Sequence, residues 1–177
     1  MSQTQVERLF IADKTSLMID AFRVTSSYAT SGSDSEDFVT ANWAQVNSDG
    51  FGTASGQGTG MAQSSGVFTF PTTGVYRVTF ETFAYGADNV DSSYCGVAIY
   101  STLDNSSYAL ATVKYGHVTE TRAKNTYTSA SVQHFFDCTN TTTHKVKFQV
   151  RSEQAATFAG ASSASYTFAT FERISDT

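Results

Sequence analysis

Short stretches of apolar–polar alternation, each closed by turn-forming residues, constrain this chain more than any other feature. The clearest is Lys145–Ser152, KVKFQVRS, where Val146, Phe148 and Val150 fall on one side and Lys145, Lys147, Gln149 and Arg151 on the other. A period of two sends successive side chains to opposite faces of a strand. The three apolar residues are therefore expected in the core and the four polar ones outward. Gly66–Phe83, GVFTFPTTGVYRVTFETF, repeats the pattern twice. Phe68 and Phe70 alternate with Val67, Thr69 and Pro71; Tyr76, Val78 and Phe80 alternate with Arg77, Thr79 and Glu81. Pro71 is the chain's only proline. It has no N–H to give a ladder, so it ends the first strand and fixes φ at the turn. Gly74 can supply a positive φ. The stretch reads as a β-hairpin that buries Phe68, Phe70, Tyr76, Val78 and Phe80.

Further strands are expected over Leu17–Val24, Cys95–Thr102, Tyr108–Gly116, Thr128–Cys138 and Ser165–Ile174, the last placing Phe168 in the core. Thr25–Asp37 reads as a polar loop, and Phe38, Val39 and Trp43 return to apolar character. Asn47–Gly60 holds five of the twelve glycines and reads as irregular. About eight to ten strands at this spacing predict an antiparallel sandwich or jelly roll. Composition agrees: only 15% of residues are charged and 14% are aromatic, which suits strands better than helices. No period of about twenty to fifty residues recurs, which excludes a solenoid or propeller. The expected organisation is an arm over residues 1–16 and one all-β domain over 17–177.

In the arm, Thr4 and Glu7 have capping-box spacing, and Val6, Leu9 and Phe10, with Ile11 beside them, form an apolar face. A short helix or an extended arm fits, and these four residues are the candidate attachment site. The net charge is −5 and the pI about 5.0, which excludes the basic face a nucleic acid or an anionic membrane requires. No stretch approaches the ~20 apolar residues of a membrane span. The N-terminal segment has no apolar signal-like region, so synthesis in a reducing cytoplasm is expected, with Cys95 and Cys138 unpaired. The sequons at Asn105 and Asn140 are of the kind that arise by chance in a chain rich in Ser and Thr.

Residues with chemical potential are scattered. His117, His134 and His144 lie in three segments without metal-ligand spacing. Cys138 is six residues from His144, but a nucleophilic pair needs a third orienting group and an oxyanion hole. Carboxylates gather at Asp34, Glu36 and Asp37, and again at Asp88 and Asp91. They read as solvated acidic loops, with calcium as the other possibility. No nucleophile elbow, phosphate loop or zinc-protease motif is present. The expectation is a protein that binds or builds, with no enzyme activity, no cofactor and no metal.

Phe68, Gly74, Tyr76, Val78 and Phe80, in that spacing, resemble the signature of the complement subcomponent q globular heads, members of the tumour-necrosis-factor-like jelly rolls. Segment order agrees: an early strand ending in Ala21-Phe22, a Gly-rich stretch, a GVAIY strand (Gly96–Tyr100), a Ser-rich strand reaching Asp137, and a closing strand with Phe168 and Phe171. The resemblance covers residues 17–174. Gly56 and Met61 stand where that family has Asn or Asp and an aromatic, and DCTNTTTHK replaces its Gly-Asp before the penultimate strand. The resemblance implies a homotrimer around an aromatic-lined axis. The chain also resembles, in its Ser/Thr/Ala/Gly-rich and Lys-poor style, the short jelly-roll proteins of tailed bacteriophages. That implies a structural virion protein, a capsid decoration or head-fibre component, assembled in the host cytoplasm and held by its arm to a capsid, portal or tail protein. Two other functions are implied as alternatives. One is a tail-fibre tip that reads a host surface glycan or receptor through loop tyrosines such as Tyr94, Tyr108 and Tyr127. The other is a secreted binding head.

Overall fold

The computed structural model describes residues 18–46, 60–86, 92–118 and 126–177. Among these residues there are thirteen strands and no helix. They are β1 (Met18–Val24), β2 (Ser26–Ala29), β3 (Ser35–Phe38), β4 (Trp43–Gln45), β5 (Ala62–Ser64), β6 (Val67–Thr69) and β7 (Gly74–Gly86). Then come β8 (Ser92–Thr102), β9 (Ala109–Val118), β10 (Thr126–Cys138), β11 (Lys145–Ser152), β12 (Ala156–Ala161) and β13 (Phe168–Ser175).

The strands form two antiparallel sheets. The first runs β2-β12-β7-β13-β1-β4, with β10 on the free edge of β7. The thirteen residues of β7 pair with β10 along their whole length on one side, while β13 and then β12 share the other. The second sheet runs β5-β6-β11-β8-β9, and β3 joins β11 beside β6. First and last strands are neighbours, β1 running against β13 from Met18 opposite Arg173 to Arg23 opposite Phe168. The closing of the chain on its own start, with all pairings antiparallel, makes this a jelly-roll sandwich.

Alternation places the core where the sequence reading put it in β6, β7 and β11: Phe68, Phe70, Tyr76, Val78, Phe80, Val146, Phe148 and Val150 are all buried. Phe68 sits among Phe22, Trp43, Phe148 and Phe171, with ring centroids 5.1–5.2 Å away. Edge-to-face and tilted pairs of this kind each add about 0.5–1.5 kcal/mol beyond the area they bury. Trp43 keeps its polar end satisfied by donating Nε1–H to Val39 O at 2.8 Å.

Four expectations are corrected. Gly66–Phe83 is not a hairpin: β6 belongs to the second sheet and β7 to the first. Pro71-Thr72-Thr73 is a corner that carries the chain between sheets, and Tyr76 fastens it by donating its hydroxyl to Thr72 O at 2.8 Å. Gly74, at φ 147°, is needed for close approach, since a Cβ there would lie 2.4 Å from Arg173 Nε and 2.7 Å from Ser175 O. Thr25–Asp37 is not simply a loop, because β2 and β3 form within it by adding to β12 and β11. Phe168 is not in the core. It is half-buried on the outward side of β13, while Thr167, Ala169, Phe171 and Arg173 face inward or are covered. Two aromatics three apart on a strand cannot share a face.

The fourth correction concerns Gln149 and Arg151, which point outward but are buried at 3% and 7% exposure. Pairing with β3 lays Phe38 and Glu36 beside them. Arg151 donates Nε–H to Gln149 Oε1 (2.8 Å), Nη1–H to Tyr115 Oη (2.9 Å) and Nη2–H to Tyr100 Oη (2.9 Å), and pairs with Glu36 at 2.8 Å. Gly96 makes the arrangement possible. Any Cβ there would meet the Tyr115 ring at 2.5 Å, so the glycine lets that ring lie flat across β8. A buried guanidinium is tolerated when its donors are met.

Candidate functional site: the open face of the first sheet

The phase that sends Tyr76, Val78 and Phe80 into the core sends Arg77, Thr79, Glu81, Phe83 and Tyr85 outward on β7. On β10 the same alternation presents Tyr127, Ser129, Ser131, Gln133 and Phe135. Register then joins them, with Tyr127 opposite Tyr85 and Ser129 opposite Phe83. At one end of this face Phe83 stacks on Tyr127 (5.3 Å, 14° between planes) and lies 5.9 Å from Tyr166, while Tyr85 tilts against Tyr127 at 5.8 Å. At the other end Phe135 stands in solvent.

Between them runs a groove of about 700 Å³, whose lining includes Ile19, Thr79, Lys114, Gln133, Phe168 and Thr170. Its floor carries an ion pair between Arg77 and Glu172, which are directly opposite in the ladder. Being half-exposed, that pair is worth only about 0–1 kcal/mol. The apolar side chains matter more. Tyr127 is 58% exposed, Phe135 57%, Tyr166 46% and Ile19 42%, and no described element covers them. Exposed aromatic side chains at both ends of one outer face make it the candidate interaction surface.

The residues considered for chemistry lie away from this face. His134 is half-buried and its ring is 6.1 Å from Phe136; burial pushes its pKa down. His144 packs edge-on to Phe136, and its Nδ1 accepts the Thr139 N–H at 3.2 Å. Cys138 is a buried thiol whose pKa burial pushes up, so the thiolate a nucleophile needs is disfavoured. No disulfide joins it to Cys95, also buried. Asp34 accepts the Tyr94 hydroxyl at 2.7 Å and Glu36 holds Arg151. No group of three metal-ligating side chains occurs among the described residues.

Tyr94 and Tyr127 sit on strands, not in loops, and on different sheets. Tyr108 immediately precedes β9. Val6, Leu9, Phe10 and Ile11, together with Asp88 and Asp91, lie outside the described residues. Sequence reasoning used the alternation of β7 to find its inward residues and read β10 only as a strand, so it overlooked that alternation lines up Phe83, Tyr85, Tyr127 and Phe135 on the outer side.

No protein-family model matches the sequence, and no curated protein matches it. Solved structures do match. Eiger TNF from S. frugiperda superposes with a TM-score of 0.58 at 12% identity, over 91% of this chain and 94% of that one. Murine APRIL at pH 5.0 superposes with a TM-score of 0.58 at 11% identity, over 89% of this chain and 99% of that one. At such identities the likeness is one of fold: the chain is a tumour-necrosis-factor-like jelly roll.

Proposed function

We propose that the protein is a homotrimeric, non-catalytic head that serves as a structural component of a bacteriophage particle, as a capsid decoration or head-fibre protein. The observation that carries the trimer is the open aromatic face of the first sheet. Tyr127, Phe135, Tyr166 and Ile19 are left in water by the single chain, and a second copy packed on this face would bury them. Aromatic residues are the ones enriched in such contacts. A jelly roll that presents this face to its neighbours around a threefold axis leaves its other sheet and its loops facing outward. The virion assignment is supported by the Ser/Thr/Ala/Gly-rich, Lys-poor sequence style. The segment containing Val6, Leu9, Phe10 and Ile11 serves as the attachment to another virion protein.

Two measurements test this reading. Light scattering on the purified protein is expected to give about 57 kDa, three copies of a 19.1 kDa chain. Phe135→Asp combined with Tyr127→Asp is expected to give a folded monomer. A parent protein that is monomeric at micromolar concentration overturns the trimer. Mass-spectrometric inventory of purified particles tests the virion role, and absence of the chain from them overturns it. Deleting residues 1–15 should leave a soluble trimer that no longer joins the particle.

A further inference from the structure

The outward side of the second sheet carries a strip of four rings and two cations: Tyr115, Arg151, Tyr100, Phe38, Lys147, Tyr108. Register builds it. Arg151 stands opposite Gly96 and Gly96 opposite Tyr115, so no β8 side chain separates the two, while Lys147 stands opposite Tyr100. Phe38, brought in by β3, meets Tyr100 edge-on at 5.0 Å.

The two cations of the strip are in opposite situations. Arg151 has partners for its donors, as described above. The Lys147 ammonium lies 3.7 Å from the centre of the Phe38 ring and 4.1 Å from that of Tyr108, and it makes no hydrogen bond or ion pair with any described residue. Burial pushes its pKa down. An ammonium between two ring faces keeps its attraction to the rings, but Lys147 is half-buried there without an anion among the described residues. Beside it, the Tyr108 hydroxyl makes no hydrogen bond to a described residue, and the Glu36 carboxylate, half-exposed, has acceptor capacity beyond its bond to Arg151.

We propose that this strip binds an acidic oligosaccharide: one pyranose carboxylate pairs with Lys147 while that sugar's C–H face lies on Tyr108 and Tyr100 and its hydroxyls reach the Tyr108 hydroxyl, and the neighbouring sugar's hydroxyls reach Glu36 beside Arg151. Each part of the ligand answers a feature of the strip. The single uncompensated cation calls for one negative charge. Glu36, Asp34 and a net charge of −5 repel a polyphosphate, for which binding depends on neutralising many charges. A purely apolar partner would bury the ammonium without compensation. Flat rings interspersed with hydroxyl and carboxylate groups suit a ligand that is apolar on one face and polar at its rim. The strip is on the opposite sheet from the face assigned to self-association, so either reading can fail without the other.

The test uses the full-length protein against an array of tri-galacturonate, hyaluronan hexasaccharide, 3′-sialyllactose and, as the neutral comparison, maltotriose, with binding quantified by saturation-transfer NMR and calorimetry. At least one acidic sugar should bind, and maltotriose at least tenfold more weakly. Lys147→Met keeps the alkyl packing on Phe38 and Tyr108 and should abolish the preference for the acidic sugar with melting temperature and oligomer mass unchanged. Lys147→Arg, which restores the charge, should recover it, and Tyr108→Phe should weaken it several-fold. Failure of every acidic sugar to bind, equal binding of maltotriose, or unchanged binding by Lys147→Met each overturns the proposal.

Discussion

Phe171 and Phe168 are the same residue three positions apart on β13, and the fold predicts opposite consequences for their removal. Phe171 is fully buried, with ring centroids 5.1 Å from Phe68, 6.0 Å from Phe148 and 6.3 Å from Phe22. Truncating a buried Phe to Ala forfeits its transfer free energy and leaves a cavity, together costing about 3–5 kcal/mol. Its three ring contacts favour the upper part of that range. Phe168 lies half-exposed on the outward side beside Ile19 and Thr170, so its loss deletes only partial burial, about 1 kcal/mol or less. For a chain of this size each kcal/mol moves the melting temperature by about 2–4 °C. Phe171→Ala should therefore melt ~6–20 °C below the parent and Phe168→Ala within a few degrees of it. Urea unfolding in the monomeric Phe135→Asp/Tyr127→Asp background reads both, because self-association on the face that Phe168 lines would otherwise shift apparent stability. A lower midpoint with an unchanged m-value identifies a stability effect. Equal losses for the two variants, or a larger loss for Phe168→Ala, would refute the assigned phase of β13, since a slip of one residue turns every side chain over.

The buried carboxylate of Asp20 accepts from Ala21 N–H (2.8 Å), Gln45 Nε2 (2.9 Å) and Met61 N–H (2.8 Å), tying the end of the Gly-rich segment to β1. Asp20→Asn puts an amide donor among those donors and should cost ~1–3 kcal/mol in urea titrations. Thr167 Oγ1 is buried without a partner, so Thr167→Val should be as stable as the parent or up to ~1–3 kcal/mol more so. The Tyr94 phenol is pushed up to about 12, chiefly because its O–H is donated to Asp34. With a folded pKa raised above the ordinary 10, its contribution is complete below pH ~10 and is lost as pH rises towards 12. Ultraviolet titration of Tyr94→Phe should lose one high-titrating phenol, and the parent's stability advantage over that variant should fall across this window. Cys95 and Cys138, both buried, should react with an aromatic disulfide reagent only as fast as the protein opens, and without prior reduction two thiols should be counted in denaturant.

The sequence by itself determined the faces of the long strands. In β7 and β11, apolar–polar alternation over Tyr76–Glu81 and Lys145–Arg151 makes any other burial of Tyr76, Val78, Phe80, Val146, Phe148 and Val150 costly, so the phase is local information. Half of the open face was legible in the same way, as the outward halves of β7 and β10. Tertiary structure decided everything that depends on a partner. Whether Pro71-Thr72-Thr73 turns the chain back on itself or carries it to the other sheet is settled by β11 and β10, which pair with β6 and β7 and lie far along the chain. The short strands β2, β3 and β5 carry too few apolar residues to announce themselves, and they form because β12, β11 and β6 present open edges to them. Phe168 looks like a core residue in a list of aromatics and becomes a surface one only when β1 fixes which side of β13 is in. Arg151 reads as solvent-facing because alternation reports direction, not depth. It is buried because Phe38, Glu36, Tyr100 and Tyr115, from three other strands, converge on it, and no pattern within eight residues of β11 can encode where those strands arrive.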